Sequence, residues 1–317
     1  MHTPPGPRIA SLLPSATEIV CALGMAESLV GRSHECDYPP EVGRVPSLTS
    51  ARIGKPGADS AAIDRDIRQV LRDGLAVYDI DVEGLARAAP DFIVTQDLCE
   101  VCAVSLSDVR AAARTLANPA VEIVNLRPMR LADILDDVRR VGAALARTIE
   151  ADAVVRDLEA RIEAVRARAV RGTRPRRSVL TVEWLDPVMI GGTWMPELVE
   201  IAGGRALVTR SGDHAPTLAR EELARLAPEV VLVKPCGFPL ARTELEIGAF
   251  VATARALGWP AARTGDVWIA DGHSYFNRPG PRIVDSLEIL AACLDPQEFS
   301  DFAAKYANAF RRAGGPG

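Results

Sequence analysis

No run of about 18 apolar residues occurs anywhere in the 317-residue chain, although 48% of it is hydrophobic. That excludes a membrane-spanning helix and leaves ample material for buried cores. The opening Met-His-Thr-Pro-Pro-Gly-Pro has neither a charged n-region nor an apolar h-region, so the sequence reads as soluble and cytoplasmic. Clustered positive charge is scarce as well. The net charge is −5, and the one short basic patch, Arg171 to Arg177, reads as a solvated helix end, so nucleic acid is excluded as a partner. Six cysteines are too few and too scattered for a disulfide scaffold. No carboxylate pair or nucleophile constellation is specific enough to name a reaction.

What is present is organised around one stretch, Ile149 to Arg171. Val155, Leu158, Ile162, Val165 and Ala169 recur at three- and four-residue steps, while Arg156, Asp157, Glu159, Arg161, Glu163, Arg166 and Arg168 cover the remaining faces. Thr148 stands at its start as an N-cap and Gly172 at its end. A helix of about 22 residues is roughly 33 Å long. It divides the chain into an N-terminal lobe (1–148), a connecting helix (149–172) and a C-terminal lobe (173–317).

Either side of that helix the chain repeats itself. Glu83-Gly-Leu-Ala-Arg-Ala-Ala-Pro-Asp91 runs into Phe-Ile-Val, and Glu221-Glu-Leu-Ala-Arg-Leu-Ala-Pro-Glu229 runs into Val-Val-Leu-Val. Aligning Leu85 with Leu223 aligns Pro90 with Pro228 and Asp91 with Glu229. Each is a helix, a Pro turn and a buried strand, the αβ half of a parallel-sheet unit, with common αβ grammar as the alternative explanation. The expected fold is α/β: two lobes with central, mostly parallel sheets, joined by one long helix, with a ligand cleft between them. Expected strands include Ser28–Ser33, Phe92–Gln96, Val121–Leu126, Ser178–Glu183, Val230–Lys234 and Val267–Ala270, and Glu41–Tyr78 reads as a long surface connection. Ile283–Leu294 is expected as a closing amphipathic helix.

Cys36, Cys99, Cys102 and Cys236 each follow the carboxyl end of an expected strand, where open parallel sheets bind ligands, and His34 and His273 occupy equivalent places. Thiolates favour soft metals, so these six residues form a candidate metal set, for zinc or an iron–sulfur cluster among others, with a redox pair at Cys99 and Cys102 or unligated free thiols as the alternatives. Cys21 and Cys293 sit on apolar helical faces and read as small buried hydrophobes. Trp184, Trp194, Tyr275 and Phe276 gather near strand ends, where flat aromatic walls suit a large planar ligand; core packing is the alternative. Arg278 and Arg282, bracketing Pro-Gly-Pro, suit a bidentate clamp on an anionic group, with a surface turn of solvated arginines as the alternative, and Glu35 and Tyr38 follow the first-lobe histidine in sequence.

The opening Arg8-Ile-Ala-Ser-Leu-Leu-Pro-Ser-Ala-Thr-Glu18, the glycines Gly24 and Gly31, the segment Asp37-Tyr38-Pro39 and the Leu-Ala-Arg-Ala-Ala-Pro-Asp-Phe-Ile-Val repeat resemble the substrate-binding proteins of vitamin B12 and ferric-siderophore ABC transporters. The resemblance runs from about Arg8 to Leu294. It implies the class III binding fold, with a rigid connecting helix and a corrinoid or other metal chelate between the lobes. Lacking a leader pattern and carrying the cysteine set, the chain resembles a cytoplasmic, cobalamin-binding branch. The implied function is non-catalytic binding of cobalamin or a related metal compound, lined by Trp184, Trp194 and Tyr275 and approached by His34, His273 or a cysteine. The rival is a metalloprotein or enzyme built on Cys36, Cys99, Cys102 and Cys236. No membrane insertion is expected, and no partner protein is legible.

Overall fold

The computed structural model describes residues 6–52, 58–73, 77–97, 105–118, 120–171 and 175–314. The chain forms two compact units, Met1–Ala58, Arg65–Pro128 and Ala132–Asp157 in the first and Asp59–Asp64, Met129–Leu131 and Leu158–Gly317 in the second.

The elements up to the long helix are β1 (Ile9–Ser11), α1 (Pro14–Ala22), β2 (Leu29–Arg32), β3 (Thr49–Ala51), α2 (Ser60–Arg72), β4 (Tyr78–Ile80), α3 (Val82–Ala88), β5 (Phe92–Gln96), α4 (Leu106–Ala113), β6 (Glu122–Leu126), α5 (Leu131–Ala144) and α6 (Thr148–Arg171). Four strands make a parallel sheet in the order β2-β1-β5-β6. Ala10, Leu12, Leu85, Ile93 and Val109 pack one core on it. The caps that start its helices are local: the Asp81 carboxylate accepts from Gly84 N at 2.8 Å, and the Ser105 hydroxyl from Asp108 N at 3.1 Å. The stretch expected as a bare connection over Glu41–Tyr78 carries more structure than its weak pattern suggests. It holds α2 and an antiparallel ribbon of β3 with β4.

Helix α6 buries the stripe read from its sequence: Val155, Leu158, Ile162 and Val165 are all buried. It begins on Thr148 itself, one residue earlier than expected. Its residues to Asp157 belong to the first unit and those from Leu158 to the second.

The second unit continues with β7 (Ser178–Trp184), β8 (Met189–Ile190), α7 (Met195–Ile201), β9 (Arg205–Ala206), α8 (Arg220–Leu223), β10 (Val230–Val233), α9 (Leu240–Ala256), α10 (Pro260–Thr264), β11 (Val267–Ala270), α11 (Ile283–Leu294), α12 (Ser300–Lys305) and β12 (Phe310–Arg312). Its sheet runs β12-β11-β10-β7-β8, with β9 also on β7. The central strands and β9 are parallel, whereas β8 and β12 pair antiparallel. Leu180, Val182, Val231, Val233, Ile269, Ile247, Phe250 and Trp259 form one core of this unit. Helix α11 is not the closing amphipathic helix expected: only its Asp285 escapes burial, and α12 and β12 follow it.

The internal repeat survives into three dimensions. In the first unit Asp91 N donates to Arg8 O at 2.8 Å while its carboxylate accepts from Arg8 N at 2.9 Å. In the second, Glu229 N donates to Ser178 O at 2.9 Å and its carboxylate accepts from Ser178 N at 2.7 Å. Aligned acids tie the start of an inner strand to its neighbour in the same way in each unit, which common αβ grammar does not require.

Candidate functional site

Each unit presents polar side chains just past its strand ends. In the first, β2 delivers Ser33, His34, Glu35 and Cys36. Thr49, at the start of β3, is the hub. Its Oγ1 accepts from His34 N at 3.0 Å, donates to Ser33 Oγ at 3.1 Å and lies 2.7 Å from His34 Nδ1. Nε2 makes no hydrogen bond and stands 3.5 Å from Glu35 Oε1. Burial lowers the His34 pKa, with Glu35 opposing and Arg32 adding to the shift, so the ring is neutral near pH 7. The ring rests on Tyr78 with centroids 5.2 Å apart. Cys36 is buried, its Sγ accepting from Thr17 Oγ1 at 3.0 Å. Tyr38 is exposed.

In the second unit, Glu183 and Trp184 end β7, Lys234 and Cys236 follow β10, and the loop Asp271–Arg282 follows β11. The Asp271 carboxylate turns that loop by accepting from His273 N at 3.0 Å and Ser274 N at 2.7 Å. Arg278, buried, lies with Nη2 3.1 Å from His273 Nε2. A guanidinium only donates, so His273 Nε2 accepts and is not the nitrogen offered to a metal. Trp184 meets Phe238 edge to face at 5.2 Å and donates Nε1 to the Ser60 carbonyl at 3.2 Å. The Arg282 guanidinium lies over the Tyr275 ring at 5.5 Å.

Three aromatic assignments need correction, the first being Trp184, which is buried against Phe238. Phe276 has no exposed surface, and Trp194 is buried with its Nε1 donating to Phe276 O at 2.9 Å. Both support the loop from inside instead of walling a ligand. The metal set needs correction too. Among the described residues no three of His, Cys, Asp and Glu come close enough together to hold a metal ion, and Cys99 and Cys102 lie outside those residues. Reading strand ends places a residue at an edge of the sheet but not the direction or burial of its side chain, as Cys36 shows. Residues that sequence reasoning passed over are Thr49, Lys234 and Asn277. The signal for Lys234 was a charge closing the otherwise apolar run Val-Val-Leu-Val.

A family model described as periplasmic binding protein matches residues 9–273. The chain belongs to the periplasmic binding protein family. Curated relatives include the vitamin B12-binding protein of Pectobacterium atrosepticum, 23% identical over 304 residues that span 94% of this chain and 92% of that one. The vitamin B12-binding protein of Vibrio parahaemolyticus is 20% identical over 297 residues, 90% and 89% of the two chains. Among solved structures, a periplasmic heme-binding protein from Pseudomonas aeruginosa superposes with a TM-score of 0.69 at 20% identity, covering 92% of this chain and 93% of that one. The periplasmic vitamin B12-binding protein of Vibrio cholerae gives 0.66 at 19%, covering 92% and 98%. The two-lobed α/β fold is therefore that of the family, and the chain is a substrate-binding protein, not an enzyme. Family membership overturns the cytoplasmic expectation and its cytoplasmic branch, because these binding proteins are periplasmic or extracellular. The curated relatives are named for vitamin B12 and lend no support to the zinc and iron–sulfur alternatives. No described helix is long and apolar enough to cross a membrane.

Proposed function

We propose that this protein binds a corrinoid of the vitamin B12 type without transforming it. The observation that carries this reading is near full-length similarity to vitamin B12-binding proteins, 94% of this chain against 92% of one such relative. Geometry supports a metal-containing ligand. His34 fixes Nδ1 on Thr49 at 2.7 Å and leaves Nε2 without a hydrogen bond, the pattern of a histidine held in place by an outer partner. In the second unit half-buried Tyr275 supplies aromatic surface, while Arg278 and His273 supply a polar edge suited to amide or anionic substituents. Glu35 stands beside His34 in the first unit, its Oε1 3.5 Å from Nε2.

Titrating the purified protein with cyanocobalamin, followed by calorimetry and the visible spectrum, tests the reading. Saturable one-to-one binding at micromolar concentration or tighter is the expected result. Saturation by hemin alone would reassign the ligand to heme, and no response to either would overturn the proposal.

A further inference from the structure

Lys234 is fully buried, yet its ammonium sits at the carboxyl end of β10, where the second unit offers polar groups to a ligand. Nζ donates to Glu183 Oε2 at 2.7 Å and to Asn277 Oδ1 at 2.7 Å. Asn277 answers with Nδ2, which donates to Lys234 O at 3.2 Å and Gly272 O at 2.9 Å. The amide orientation is forced, since a flipped amide would turn its NH2 toward the ammonium and its oxygen toward two carbonyls. Between these anchors Phe276 holds a left-handed φ of 64°. Ser286 Oγ accepts from its N–H at 2.8 Å, and its carbonyl takes the Trp194 indole N–H. Backbone strain of this kind persists only where the surroundings over-determine it, and it gathers at binding sites.

We infer that Lys234, through Asn277, is a positioning residue that presets the loop 272–278, so that the Arg278–His273 pair is already in place for a polar, amide- or anion-bearing edge of the ligand. The inference rests on the proposed function for the identity of that ligand. Loop 272–278 then binds without first being ordered, which is where preorganisation raises affinity.

The variant of choice is Asn277→Ala, which cuts the link while leaving the Lys234–Glu183 pair intact. Lys234→Met together with Glu183→Gln gives a second cut without stranding a buried carboxylate. Two readouts decide. In the ligand-free protein, amide exchange over residues 272–278 should rise by about tenfold or more, with α11 unchanged. In cyanocobalamin titrations Asn277→Ala should weaken binding by about tenfold. Adding Arg278→Gln should cost little further, because both changes disable one device. Unchanged loop exchange, acceleration spread through the whole unit, or fully additive losses would each overturn the inference. Should the unaltered protein bind no cobalamin, the functional reading fails, and loop exchange alone still decides the positioning role.

Discussion

Asp91 and Glu229 show how much a single carboxylate does in this chain. Backbone and hydroxyl hydrogen bonds from Ser178, the backbone one foremost, hold the Glu229 carboxyl below its ordinary value. Its contribution is therefore present above the unfolded value near 4.5 and is lost as pH falls through the folded one. Glu229→Gln should cost about 1 kcal/mol in urea unfolding at pH 7, because the side chain is exposed and screened. Asp137 works in the opposite direction. Burial pushes its carboxyl up to about 7, against Arg140 and the Arg127 N–H and with help from Asp133 and Asp136. Its Oδ2 has no hydrogen bond, while Oδ1 meets Arg140 at 3.1 Å. The folded protein holds a proton there that the unfolded chain releases near pH 4, so stability should rise as pH falls from about 7 toward 4. Asp137→Asn should remove that slope of roughly 1.4 kcal/mol per pH unit, read from unfolding midpoints across the range.

At the scale of elements, α6 is tied to α11 and α12 of the second unit by a partly buried charge network. Arg161 reaches Asp285 at 2.6 Å and Glu288 at 2.8 Å, Lys305 reaches Glu288 at 2.8 Å, and Tyr306 Oη lies 2.8 and 2.6 Å from the same two carboxylates. Burial raises the Glu288 pKa, but Lys305, Tyr306 and Arg161 together hold it below the ordinary range. Arg161→Met should cost about 2 kcal/mol in chemical denaturation, the loss of one partner leaving carboxylates under-compensated. Only the apolar stripe of α6 was legible beforehand, since a charged residue on a helix face looks solvated until its neighbours are known. Helix α9 escaped sequence reading although Thr243, Ile247, Phe250 and Ala254 recur at helical steps, because Leu245, exposed, and Val251, half-buried, blur the stripe. A backbone contact was equally invisible: a Cβ on Gly272 would fall 2.1 Å from the Pro235 carbonyl oxygen. Gly272→Ala should thus destabilise by at least about 3 kcal/mol, seen as loss of soluble protein or a collapsed unfolding midpoint.

For the molecule as a whole, capture of ligand without chemistry predicts a simple linkage. Cyanocobalamin at a hundred times its Kd should stabilise the native state by about 2.7 kcal/mol and raise the thermal midpoint in step with concentration. A midpoint indifferent to ligand would contradict binding to the folded form. The family, the α/β class and the duplicated αβ unit were readable in advance, because each rests on local residue patterns that recur along the chain. Location was misread from the opening residues, and family membership corrected it.

The sequence by itself determined where strands and helices form, through apolar periodicity, Asp81- and Ser105-type caps and Pro turns, all of which act within a few residues. Tertiary structure alone decided which strand-end side chains carry out polar work. Thr49 engages Nδ1 of His34, Lys234 and Asn277 pair across the loop, and Trp194 and Phe276 turn inward to support it. Those outcomes depend on partners between about 15 and 82 residues away in the chain, and no short-range pattern encodes such contacts.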